Sequence, residues 1–245
     1  MALVMDEAED HRVRVAAERR ARMRLRLLQA VLDTCAMQTD GGLPGLDDVA
    51  ARAAVSRATF YKYFTSVEQA VDEVGRNQVD EMIHTLMTLF DGPETPFFRM
   101  TVAIQIFLLR GVLDPAWAAF ASRPDTLAYD NILLRGITTH LEASRDAGIV
   151  HFADIEAAAT IAIGTLREAM SHLARHKEDV RRDYVEEVEV MILRAIGMDL
   201  DAARKAVRDA VVFIRGIGPD RLAWWRDPWT TGGETGRRPA LLRPA

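Results

Sequence analysis

The 245-residue chain is 49% hydrophobic and 27% charged, a balance that excludes a disordered chain and calls for an ordinary buried core. Its net charge of -5 excludes a protein that coats nucleic acid with its whole surface, but allows one that offers a single basic face. The lone cysteine, Cys35, cannot close an internal disulfide and falls on the apolar face of a helical pattern, so it reads as core.

The N-terminus opens on Asp6, Glu7, Glu9 and Asp10 instead of the apolar run of a secretory leader, which points to a cytoplasmic protein. Arginine then dominates. Between His11 and Arg26 seven arginines stand against one acid, Glu18, a local charge of +6 that leaves -11 for the rest of the chain. Residues 1–20 read as a basic arm, with Arg20 and Arg22 as candidate phosphate contacts; a solvated helix start is the plainer alternative. Leu25, Leu28, Val31, Leu32 and Cys35 recur at helical spacing and predict a first helix, which ends near the breakers Asp40, Gly41, Gly42, Pro44 and Gly45.

Leu46, Val49, Ala50 and Ala53 predict a short second helix, and Ser56 supplies the N-cap of a third that runs through Phe64. Two short helices joined by a tight Ala54-Val55 turn have the shape of a helix-turn-helix, whose second helix enters the DNA major groove. Phe60 and Phe64 fall on its buried face. That leaves Arg57, Ala58, Thr59, Tyr61, Lys62 and Tyr63 exposed or partly so, a set rich in donors. An ordinary helical hairpin is the competing reading. Ser66 and Gln69 have capping-box spacing at the start of a longer fourth helix, with Val71, Val74, Met82, Ile83, Leu86 and Phe90 as its apolar stripe.

The stretch from Asp47 to Phe64 closely resembles the DNA-binding signature of the TetR, or tetracycline-repressor-like, family, and the likeness extends over about Leu27 to Val74. The resemblance implies that Ser56 caps the recognition helix, that Arg57, Ala58 and Thr59 face bases, that Tyr61 and Tyr63 hold phosphates, and that Phe60 and Phe64 lock the helix in place. It also implies a helix-turn-helix domain over 21–66 followed by a helical ligand-binding and dimerisation domain over 67–218. Three residues depart from the family pattern. Ala54 replaces the usual turn glycine, Gly45 stands near the place of a Ser or Thr cap, and Val67 replaces a lysine that usually meets the DNA backbone.

Beyond the fourth helix, Asp91-Gly92-Pro93, Asp114-Pro115, Arg123-Pro124, Ala147-Gly148 and 177–179 punctuate about five more helical segments, and no β alternation appears, so the fold class is all-α. The small residues between Ile155 and Met170 predict a partner-facing helix, which with Tyr184 to Ile196 would form a four-helix homodimer interface. A mostly apolar effector pocket is expected, with Phe98, Leu109, Trp117, Phe120 and Leu134 as walls and Gln105, Asn131 and Arg167 orienting polar atoms. Residues 219–245 read as a tail, whose Trp224, Trp225 and Trp229 either pack on the ligand-binding domain or sit in a disordered end. No membrane span, phosphate loop or nucleophile motif is present, so neither an enzyme nor a cofactor is expected. Glu168, His172 and His176 have metal-compatible spacing but read better as a solvated or dimer-edge stripe. The expected function is a repressor that binds double-stranded DNA at a palindromic operator as a homodimer and is released by a small, mostly apolar effector. The alternative is a helical protein-interaction bundle whose helix-turn-helix is unused.

Overall fold

Short polar side chains set the helix starts. In this computed structural model, which describes residues 2–38, 42–123, 132–176 and 180–229, Ser56 accepts from Thr59 N, Thr95 from Phe98 N, Asp114 from Ala116 N and Trp117 N, Asp154 from Ala157 N, and Asp199 from Asp201 N and Ala202 N. Each satisfies donors that a helix leaves without partners in its first turn. The described residues form ten helices and no strand: α1 (Ala2–Met37), α2 (Leu46–Arg52), α3 (Arg57–Tyr61), α4 (Val67–Leu89), α5 (Pro96–Leu113), α6 (Pro115–Ala121), α7 (Ile132–Asp146), α8 (Ile155–Arg175), α9 (Arg182–Ala195) and α10 (Leu200–Arg221). They fall into two compact units, which divide after Val74 within α4.

In the first unit Leu27, Leu28, Val31, Leu32 and Cys35 of α1 are buried, as are Val49, Ala50 and Ala53 of the α2 segment and Phe60 and Phe64 beside α3. The basic segment and the apolar helix predicted after it form one continuous helix, α1. The third helix is shorter than its sequence pattern implies: Lys62 is its C-cap, and Tyr63 and Phe64 follow in a turn that bonds back to Phe60 O. Ala54 adopts the left-handed backbone that favours glycine. At φ 51° it is the one non-glycine residue at positive φ among the described residues, a conformation that costs an L-residue about 1–2 kcal/mol. Gly45 is the N-cap of α2 and supplies no side-chain bond. Ser66 accepts from Gln69 N at 3.2 Å, while the Gln69 side chain reaches back to Thr65 N, one residue earlier than a capping box requires.

In the second unit α5 packs against α6 to α10. It is the one described helix long and apolar enough to cross a bilayer, but 56% of it is buried inside this unit. Gly111 lets it come close to α8: a Cβ there would stand 2.6 Å from Met170 Sδ. Gly197, at φ 88°, ends the turn after α9 so close to the chain that a Cβ there would lie 2.0 Å from His151 O. Arg110, buried in α5, pairs with Glu81 at 3.0 Å and Asp114 at 3.4 Å and lies near the rings of Trp117 and Trp224. Burial raises the Glu81 carboxyl above its ordinary value, with Arg110 opposing.

Packing continues past Gly218, where the sequence reads as a tail. α10 runs to Arg221, Leu222 is buried, Trp225 covers Gly218, and Trp229 Nε1 donates to Val180 O at 3.0 Å. The tryptophans supply the apolar area that the Pro, Gly and Arg around them lack.

Candidate nucleic-acid interface and effector cavity

The surface of the first unit is built from α1, α3 and the turn after α3. Ser56 fixes the start of α3, and Phe60, with its ring 5.5 Å from that of Phe64, anchors its inner side. Arg57, Ala58, Tyr61 and Lys62 are then exposed, and Thr59 and Tyr63 half-buried. Arg57 is not free: its guanidinium pairs with the exposed Asp47 carboxylate of α2, and that hydrogen bond holds Asp47 below its ordinary pKa. Arg19 and Arg20 stand with Lys62 and Tyr63 around a shallow cleft floored by Val15, Ala16 and Met23, with Arg20 Cζ 5.9 Å from the Tyr63 ring centre. Arg22 is exposed on the same helix.

Arg24 does different work. It donates to Glu73 Oε1 at 2.7 Å and to Tyr63 O at 2.8 Å and lies 4.4 Å from the Phe64 ring centre, so it ties α1 to α4 and to the end of the recognition segment. In the sequence it is one of the seven arginines between His11 and Arg26, with nothing to set it apart from its neighbours. Only the distant Glu73 reveals the tie, and nothing in the local pattern marks that residue as a partner.

The second unit holds a cavity of about 300 Å³. Met82, Ile83, Leu86 and Met87 of α4 and Phe90 after it form one wall, Met100, Ala103, Ile104 and Phe107 of α5 another, and α7, α8 and the end of α9 close the rest through residues such as Ile137, Leu141, Ile163 and Ile192. Arg99 and His140 bring polar side chains to it.

No family model and no curated protein matches the sequence. Solved structures do match the fold. A gamma-butyrolactone receptor described as ArpA-like aligns with a TM-score of 0.60 at 15% identity, covering 81% of this chain and 99% of that one. RolR in complex with resorcinol aligns at 0.53 and 19% identity, covering 78% and 95%. A TetR-like transcriptional regulator from Rhodococcus sp. RHA1 aligns at 0.50 and 16% identity, covering 79% and 94%. The chain has the TetR fold.

Within this TetR fold, none of the described effector residues chosen from sequence lines this cavity. Phe98 packs one layer behind it, with its ring 6.5 Å from Phe90 and 5.2 Å from Phe213, and Trp117 lies behind Phe107 at 4.9 Å. Leu109 and Phe120 are core, Gln105 is buried with Oε1 unpartnered, and Arg167 is exposed. Asn131 and the Leu134 side chain lie outside the described residues. The physical reason is rotational: α5 is apolar on several sides, and its cavity face is 100, 103, 104 and 107, not 98, 105 and 109. Of the histidine stripe, Glu168 pairs with Arg175 at 3.0 Å, and His172 stacks on His176 and Tyr184.

Proposed function

We propose that this TetR-fold chain is a DNA-binding transcriptional repressor whose first unit reads an operator and whose second unit takes a small apolar effector. The observation that carries it is the sidedness of the first unit: Phe60 and Phe64 are buried while Arg57, Ala58, Thr59, Tyr61, Lys62 and Tyr63 reach solvent beside Arg19, Arg20 and Arg22. In this reading Ser56 positions α3, Arg57, Ala58 and Thr59 meet base edges, and Lys62, Tyr61, Tyr63, Arg20 and Arg22 meet phosphates. Arg57 leaves Asp47 when it reaches a base.

A homodimer through α8 and α9 sets two recognition helices against a palindromic operator. Ile161 and Met191, both large, apolar and exposed, give these helices a surface to cover. The effector acts by binding better to one dimer conformation than to the other, which is the only way a ligand shifts such an equilibrium. The fold match to RolR bound to resorcinol supports a small-molecule effector.

Genomic fragments retained by the purified protein, sequenced and then titrated across a salt series, test the DNA reading. An enriched inverted repeat bound with a steep salt dependence is expected. Retention that is uniform across sequences, or indifferent to salt, overturns it and favours an interaction bundle. Sedimentation at micromolar concentration checks the dimer; a monomer there contradicts it.

A further inference from the structure

The cavity's walls are almost entirely carbon, and its two polar side chains differ in what they still have to offer. The Arg99 guanidinium donates to Gly92 O at 2.8 Å, pairs with Glu94 at 3.3 Å and lies 4.7 Å from the Phe90 ring centre, so its charge is already answered. His140 is different. Its Nδ1 lies 2.5 Å from Gly136 O, one turn earlier on α7. A carbonyl oxygen only accepts, so Nδ1 carries the hydrogen, and the neutral imidazole then keeps its lone pair on Nε2. Among the described residues Nε2 has no partner. Beside it, a Cβ built on Gly136 would meet nothing within 4 Å, so the ring borders open space.

We propose that the cavity selects an uncharged, largely apolar molecule with one hydroxyl donor, which it delivers to His140 Nε2; this rests on the reading of the second unit as an effector domain. The Arg99 charge at the cavity is already paired with Glu94, and an anion with no counter-charge of its own against carbon walls is strongly disfavoured. A methyl ether of the same shape fits but leaves Nε2 unanswered. The volume, at the lower end of the roughly 300–1,000 Å³ range of ligand sites, favours compounds of alkylphenol size over long acyl chains.

Calorimetric titration of the full chain at pH 8 with 4-butylphenol, 4-butylanisole and 4-butylbenzoate tests this directly. The phenol should bind at least about fivefold more tightly than the anisole, with the benzoate weakest. In His140→Phe the phenol and the anisole should bind alike. The ranking in the unaltered protein stands even if that variant does not fold. Equal phenol and anisole affinities, or a benzoate that binds as well as the phenol, overturn the donor proposal and leave the effector cavity standing. If none of the three binds, the cavity reading itself falls, and this proposal with it. The expected ranking without any effect on operator binding supports the donor proposal and removes the effector coupling.

Discussion

In residues 1–74 the exposed polar set lies within seven consecutive positions, 57–63, beside one stretch of α1, whereas the cavity of residues 75–237 takes its walls from α4, α5, α7, α8 and α9. The first site presents charge to water and depends on which side of a short helix is buried. The second excludes water and depends on how five helices are rotated. A surface of this kind can be altered residue by residue, because exposed cations far apart act nearly independently. A cavity cannot, because each wall residue also packs against the layer behind it, as Phe107 does against Trp117.

The largest expected effect tests the independence of the charged surface. Arg20→Ala with Lys62→Ala should lower the log-log salt slope of DNA binding by about 1.8, weakening binding roughly sixtyfold at 0.1 M salt relative to 1 M, while alkylphenol binding stays unchanged. An unchanged slope would place these cations off the DNA.

Glu189 tests the dry side of the comparison. It is fully buried in α9, neither carboxylate oxygen has a partner, and burial, with Glu186 adding to it, raises its pKa well above the ordinary value. The folded state therefore holds a proton that the unfolded chain releases near its ordinary pKa of about 4.3. Stability from this group is full below that pH and is lost as pH rises towards the raised folded value. Glu189→Met should stabilise the protein by about 1–3 kcal/mol at pH 8 and by less at pH 5. Thermal unfolding that shows the same gain at both values would mean that the carboxyl titrates normally.

Val67 is half-buried at the first position of α4. Val67→Lys should steepen the salt slope by about 0.9, with little change in sequence preference, if the helix N-terminus faces a phosphate. Weaker binding at an unchanged slope would make Val67 a packing residue. The smallest effect is expected at the turn: Ala54→Gly should raise stability by about 1 kcal/mol, the relief of φ 51°, and leave DNA affinity as it was. A melting temperature that falls would show that the turn carries no strain.

These differences explain what could be read from the sequence. The all-α class, the caps at Ser56 and Ser66, and the buried Phe60 and Phe64 are local facts, fixed by spacing within a few residues. The end of α3 was overrun because Tyr63 and Phe64 continue the helical pattern while their backbone already turns. Which side of α5 lines the cavity is not legible in the sequence, because Phe98 and Leu109 carry the same apolar chemistry as Met100 and Phe107; only the neighbouring helices decide which side is hollow. His140 was missed for a similar reason, since a single histidine on α7 carries no motif. The Arg57–Asp47 and Arg24–Glu73 pairs join residues 10 and 49 positions apart, beyond any helical period.

The end of α10 and the segment after it bear on how the molecule will respond to handling. Arg221 donates to the last carbonyls of α4, Thr88 O and Leu89 O, Arg226 to Leu113 O at the end of α5, and Trp229 to Val180 O just before α9, while Asp227 pairs with Arg215 of α10 at 2.8 Å. Residues 221–229 thus act as a lashing across helix ends that are remote in sequence. A protease nick there would be felt in several helices at once, so limited digestion in this stretch should report on the integrity of the whole bundle, not on a loose end.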